Sequence, residues 1–225
     1  WYYGMAEELP YDGLSTDDMF LTYVDLKEAN QLDMLVRLLA QPERFGFLLH
    51  LLVPETGDFH SYSAQRFLNA AQSLECLHRR TGLNGVVSSE EFMTKVNRIL
   101  KSVAEEDRAW LKERLQRGNE PSLRHRILAM VQANAALLQT TVDQEESFVK
   151  DVRDTRNFFV HLDSRRSNRV LKGLELINAT DKLEALARIS FLREIGFDDQ
   201  SLVNLFAKAK CPYIKHAKQL FQSQD

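Results

Sequence analysis

Nine glycines and five prolines are all that punctuate 225 residues. Between them run long stretches of Leu, Ala, Glu, Lys, Arg and Gln, the residues that lose least on entering a helix. A chain so poor in turn formers and so rich in helix formers is expected to be all-α.

The breakers and caps divide it. Residues 1–29 read as a linker or the tail of a preceding domain, because "WYYGMAEELPYDGL" carries the turn residues. "MFLTYVDL" (19–26) fits a short strand or a helical turn equally well. Residues 30–225 read as one helical domain. Its expected helices are 30–40 and 43–52, with Pro42 at the boundary, then 61–80, stopping before Gly82. The next is 88–103, opened by serines and two glutamates that suit a helix N-terminus. Then come 104–116, 121–138 with Pro121 in its first turn, and 143–162 capped by Asp143. Two helices at 168–178 and 180–195 follow, the second ending at Gly196. Asp198 is expected to cap one at 199–208, and another follows Pro212. No internal repeat or low-complexity tract is evident.

Composition narrows the class further. The chain is 44% hydrophobic and carries a net charge of -3, which fits a globular domain with one sizeable core. It does not fit a general nucleic-acid coat protein, although a local basic patch is compatible with it. Cys76 and Cys211 form neither a CxxC pair nor a zinc pattern. They suit a reducing, cytoplasmic setting. The longest apolar run, "FGFLLHLLV", is too short to span a bilayer, and no signal peptide is evident. No cofactor is expected. A chain that starts at Trp1 is compatible with a fragment of a longer one.

The stretch that packing does not explain is "TRNFFVHLD", residues 155–163. On a helical wheel Phe148, Val152, Thr155, Phe159 and Leu162 share one stripe, the expected core face. Arg156 flanks it. Arg153, Asn157, Val160 and His161 continue round, away from the core. One face packs inward; the other presents Arg, Asn, Val and His together, as a cleft wall or a subunit interface would. An arginine and a histidine on a solvated face need no function, so this spacing alone is weak.

The wider context carries more. "RDTRNFFVHLD" resembles the RNxxxH motif of HEPN domains, and the chain resembles their Apea-like branch most closely. In that branch a helix similar to "RFLNAAQSLECLHRR" (66–80) is followed by one similar to "PSLRHRI" (121–127). The Arg–His helix comes next, then a tail similar to "LEALARISFLREIGF" (183–197). The resemblance covers roughly residues 60–210.

It implies a HEPN-like bundle that forms a homodimer with a composite active site, RNA as substrate and metal-independent endoribonuclease chemistry. Arg156 and His161 would be the catalytic pair, supported by Asn157. It also suggests an effector of bacterial anti-phage defence, with an upstream sensor domain in the same protein. The chemistry is plausible on its own terms. RNA brings its own nucleophile, the 2′-hydroxyl. An imidazole can act as general base or acid near neutral pH, and a guanidinium can stabilise charge building on phosphorus.

Glu75 and Arg79 stand four apart on the early helix, with Arg80 next. Many HEPN domains place an acidic residue and a basic pair at similar spacing. The pair reads either as a supporting part of the site or as an i,i+4 surface salt bridge. His78 is expected in the core. Arg153, Arg165, Arg166 and Arg169, with Lys172, form the one basic segment. They are candidate RNA contacts or simply a charged interhelix loop. Phe158 and Phe159 read as core rather than as base-stacking platforms. The competing functions are a catalytically inactive HEPN module for dimerisation or RNA binding, and a purely structural helical interaction domain.

Overall fold

A computed structural model describes residues 23–28, 31–52, 63–80, 85–138, 142–161 and 170–208. They form eleven helices and no strand among the described residues. In chain order these are α1 (Tyr23–Glu28), α2 (Asp33–Ala40), α3 (Pro42–Leu52), α4 (Ser63–Arg80), α5 (Ser89–Lys101) and α6 (Glu105–Leu115). Then come α7 (Leu123–Ala133), α8 (Ala135–Leu138), α9 (Val142–His161), α10 (Gly173–Ile195) and α11 (Asp199–Lys208). The all-α expectation holds. "YVDLKE" is a helical turn rather than a strand, and Leu26 within it is buried in the main core. Residues 162–169 and those after 208 lie outside the described residues. So do Leu162 and the helix expected after Pro212.

Local chemistry accounts for most of the boundaries. Ser88 caps α5 by accepting from the Glu91 N–H at 3.1 Å, and Ser122 caps α7 through the His125 N–H. Asp198 caps α11: its Oδ1 accepts from the Ser201 N–H at 2.7 Å, and this hydrogen bond holds the carboxyl below its usual range. At the end of α10, Gly196 takes φ +111°, and the Phe197 N–H closes on the Leu192 carbonyl. That is a Schellman ending, which needs a residue tolerant of the left-handed region.

Two expectations are corrected. The helices expected at 168–178 and 180–195 are one, Gly173–Ile195. Thr180 and Asp181, at the expected break, sit inside this helix. The buried Thr180 hydroxyl donates to the Leu176 carbonyl one turn back, at 2.7 Å. Asp181 faces Arg66 of α4 instead. The helix expected at 121–138 breaks at Asn134, whose buried side chain donates to the Met130 carbonyl at 2.7 Å. Smaller is the shift at α9, which starts at Val142, one residue before its expected cap.

α4 is the centre of the molecule. α10 packs along it most extensively, and α3, α7 and α9 lie against it as well. Its inward side chains, Phe67, Leu74 and Leu77 among them, are essentially fully buried. Arg66 near its start reaches Glu184 at 3.0 Å and Asp181 at 3.4 Å on α10. α5 and α6 pack chiefly on each other, as an arm inserted between α4 and α7. Asn119 closes the base of this arm, its side chain bonding both the N–H and the carbonyl of Val87.

His78 is buried, as expected, but its surroundings are not purely apolar. Arg126 of α7, itself buried, donates from Nη1 to His78 Nδ1 at 3.2 Å and from Nε to the Pro121 carbonyl at 3.0 Å. A guanidinium has only donors, so Nδ1 must accept and the ring is neutral. Burial, and then the Arg126 charge, push its pKa below the ordinary imidazole value. The sign follows. As pH falls below about 6.5, the unfolded chain takes up a proton that folded His78 resists, so stability falls. The urea midpoint of the wild type should therefore drop more between neutral and mildly acidic pH than that of His78→Gln. Equal slopes for the two proteins would contradict this assignment.

Candidate active site

α9 carries the Arg–Asn–His set, and packing decides which of its neighbours meet it. Val149, Val152 and Thr155 are fully buried. Phe148 and Phe159 pack at the edge of the core, half-buried. Phe159 meets Phe67 of α4 edge-on, with ring centroids 6.1 Å apart. This contact sets α9 against α4. It places Arg156 on the flank that faces Glu75.

There the two helices share a carboxylate. Arg79 Nη2 donates to Glu75 Oε1 at 3.0 Å, and Arg156 Nη2 lies 3.8 Å from Glu75 Oε2. The first is a hydrogen-bonded ion pair; the second is a looser Coulombic contact. The Arg156 side chain is 31% exposed, so it is only partly withdrawn from solvent. Nη1 points toward Asn157 Oδ1 at 3.5 Å, the outer limit for a hydrogen bond. His161 ends α9 and is exposed.

The expected site residues are thus brought together in part. Glu75 and Arg79 join Arg156 across the α4–α9 contact, with Asn157 beside it. His161 lies on the same helix, one and a half turns on. Arg153 is turned elsewhere: it donates from Nε to Asp154 Oδ1 at 2.9 Å, and Asp154 is buried. Lys172 is exposed beside the start of α10. Arg165, Arg166 and Arg169 lie outside the described residues.

Some contributors escaped the sequence reading. Thr155 was placed on the core stripe for its spacing. It also anchors the chain that returns to α10, accepting from the Leu171 N–H at 3.0 Å. Arg126 was not singled out. Its one signal is its position among Leu123, Ile127 and Met130, where an apolar side chain is the usual occupant. Cys76, next to Glu75, is not a ready nucleophile, because burial and the Glu75 charge push its thiol up. Among the described residues, no group of three His, Cys, Asp or Glu side chains is placed to hold a metal ion. No described helix is long and apolar enough to cross a membrane.

The fold and this helix define a HEPN-type domain. The family model of Apea-like HEPN domains matches residues 68–201, more than half of the chain, and the chain belongs to that family. Membership brings an RNA-related role, since HEPN domains bind RNA and typically dimerise. No curated protein and no solved structure matches the chain.

Proposed function

We propose that this protein is a metal-independent endoribonuclease that cleaves RNA by transesterification. The observation that carries the reading is the shared carboxylate: Glu75 stands between Arg79 and Arg156, with Asn157 beside them and exposed His161 on the same helix. A solvated face with unrelated charges would have no need to converge from two helices.

In the proposed step the 2′-hydroxyl loses its proton and O2′ attacks the adjacent phosphorus. The bond from phosphorus to O5′ breaks, and O5′ takes up a proton. The products are a 2′,3′-cyclic phosphate and a 5′-hydroxyl. His161 serves as general base or acid. Arg156 steadies the charge gathering on the phosphoryl oxygens. Glu75 holds the Arg156 guanidinium in place from behind, and Asn157 limits its swing.

The active form is a homodimer in which two α9 helices face each other. Val160, beside His161 on the outward face, is 48% exposed and suits burial against a second copy. Light scattering should give twice the chain mass without RNA, and a strict monomer at high concentration would argue against a shared site. An anti-phage effector role, with a sensor domain elsewhere in the same protein, is part of the proposal and follows the family branch.

The direct test incubates wild type and His161→Ala with a mixed RNA pool in EDTA and analyses the product ends. Wild-type cleavage leaving cyclic phosphates, absent in the variant, supports the reading. RNA bound but uncut by the wild type favours the inactive HEPN module.

A further inference from the structure

One face of α4 is left open. Gln65, Gln72 and Arg79 recur every seven residues, so they lie almost in line, and all three are exposed. α9 borders this face on one side, through the Glu75–Arg156 contact. Arg80 marks the other side. It is five residues from Glu75, about 140° round the helix, and it meets α3 there. Its guanidinium lies 5.9 Å from the ring centroid of Phe45, and the Arg44 guanidinium lies 5.2 Å from the same centroid. On a helix about 10–12 Å across, that arc leaves room for a single strand.

The two borders have complementary features. Beside α9 are Arg79 and Arg156, against Glu75. Beside α3 are Arg80 and Arg44, against Glu194, which pairs with Arg44. Four arginines therefore edge the face against two glutamates, in a chain that is acidic overall. The floor between them is neutral and hydrogen-bonding: Gln65, Asn69 and Gln72. Arg80 is part-exposed at this border, and an arginine at such an edge can donate paired hydrogen bonds to a phosphate.

We propose that the open face of α4 is a channel for single-stranded RNA, and that Arg80 and Arg44 hold a phosphodiester at its edge away from Arg156. This rests on the ribonuclease reading above, since RNA is the occupant. It adds a contact from α3, which lies outside the residues matched by the family model. The strand would cross the floor from the α3 border toward the Arg156–His161 helix, with phosphates at both borders.

The test uses His161→Ala as the parent, so that bound RNA is not cut. Fluorescence anisotropy with a short labelled single-stranded oligoribonucleotide gives affinity from about 50 to 200 mM salt. Each phosphate contact contributes about 0.7 to the slope of log affinity against log salt. Arg80→Gln and Arg44→Gln should each flatten the slope by about that amount, whereas Arg80→Lys should keep the parent's slope. Circular dichroism checks folding, and if Arg80→Gln does not fold, Arg44→Gln decides. Unchanged slopes in the glutamine variants would overturn the channel alone, provided that wild type still cleaves RNA. If the parent binds no RNA and wild type cleaves none, the ribonuclease reading falls with it.

Discussion

His161→Ala is expected to lower RNA cleavage by about 10²–10⁴-fold, the usual share of a general acid or base, with almost no change in melting temperature. The side chain is exposed on the last turn of α9, so its removal opens no cavity. Surface changes of this kind stay within about 0.5 kcal/mol. Arg156→Ala should lose activity to a similar degree. Its stability loss should also be small, because a part-exposed ion pair at 3.8 Å contributes about 0–1 kcal/mol. The measurement pairs cleavage rates with melting curves for both variants. Wild-type cleavage by His161→Ala would mean that the site is elsewhere and that "TRNFFVHLD" is only a helix.

Phe67→Ala should show the opposite split. The ring is fully buried in the second turn of α4 and packs on Phe159 of α9. Removing a buried phenyl ring costs about 3–5 kcal/mol. For a chain of this size that is a drop of about 2–4 °C in melting temperature per kcal/mol. Activity should be lost only as far as the protein unfolds, and should persist at low temperature in the folded fraction. Phe159→Ala should cost less than Phe67→Ala, because Phe159 is only half-buried at the edge of the core. The stripe on α9 suggested full burial for it. Equal losses from the two variants would show that α9 sits deeper against α4 than described.

Two kinds of information separate cleanly in this protein. Helix content, most helix ends and the inward stripe of α9 were legible because they depend on neighbours within one turn. Ser88, Asp198 and Gly196 act on backbone groups three to five residues away, so their effect is written locally. The Arg–Asn–His set was legible for the same reason, as a departure from apolar periodicity on one helix. Local signals misled where a side chain had a distant partner. A break was expected between 178 and 180, yet α10 runs through it, with Asp181 facing Arg66 across more than a hundred residues. The spacing of Glu75 and Arg79 admits a plain surface pair. The packing of α9 on α4, Phe159 against Phe67 included, brings that pair to Arg156. Arg126 beside His78, and Arg44 with Arg80 over Phe45, have no local signature at all. Periodicity determines which face of each helix leaves water. Which buried faces meet, and so which charges are brought within reach of one another, is decided by how the helices pack around α4.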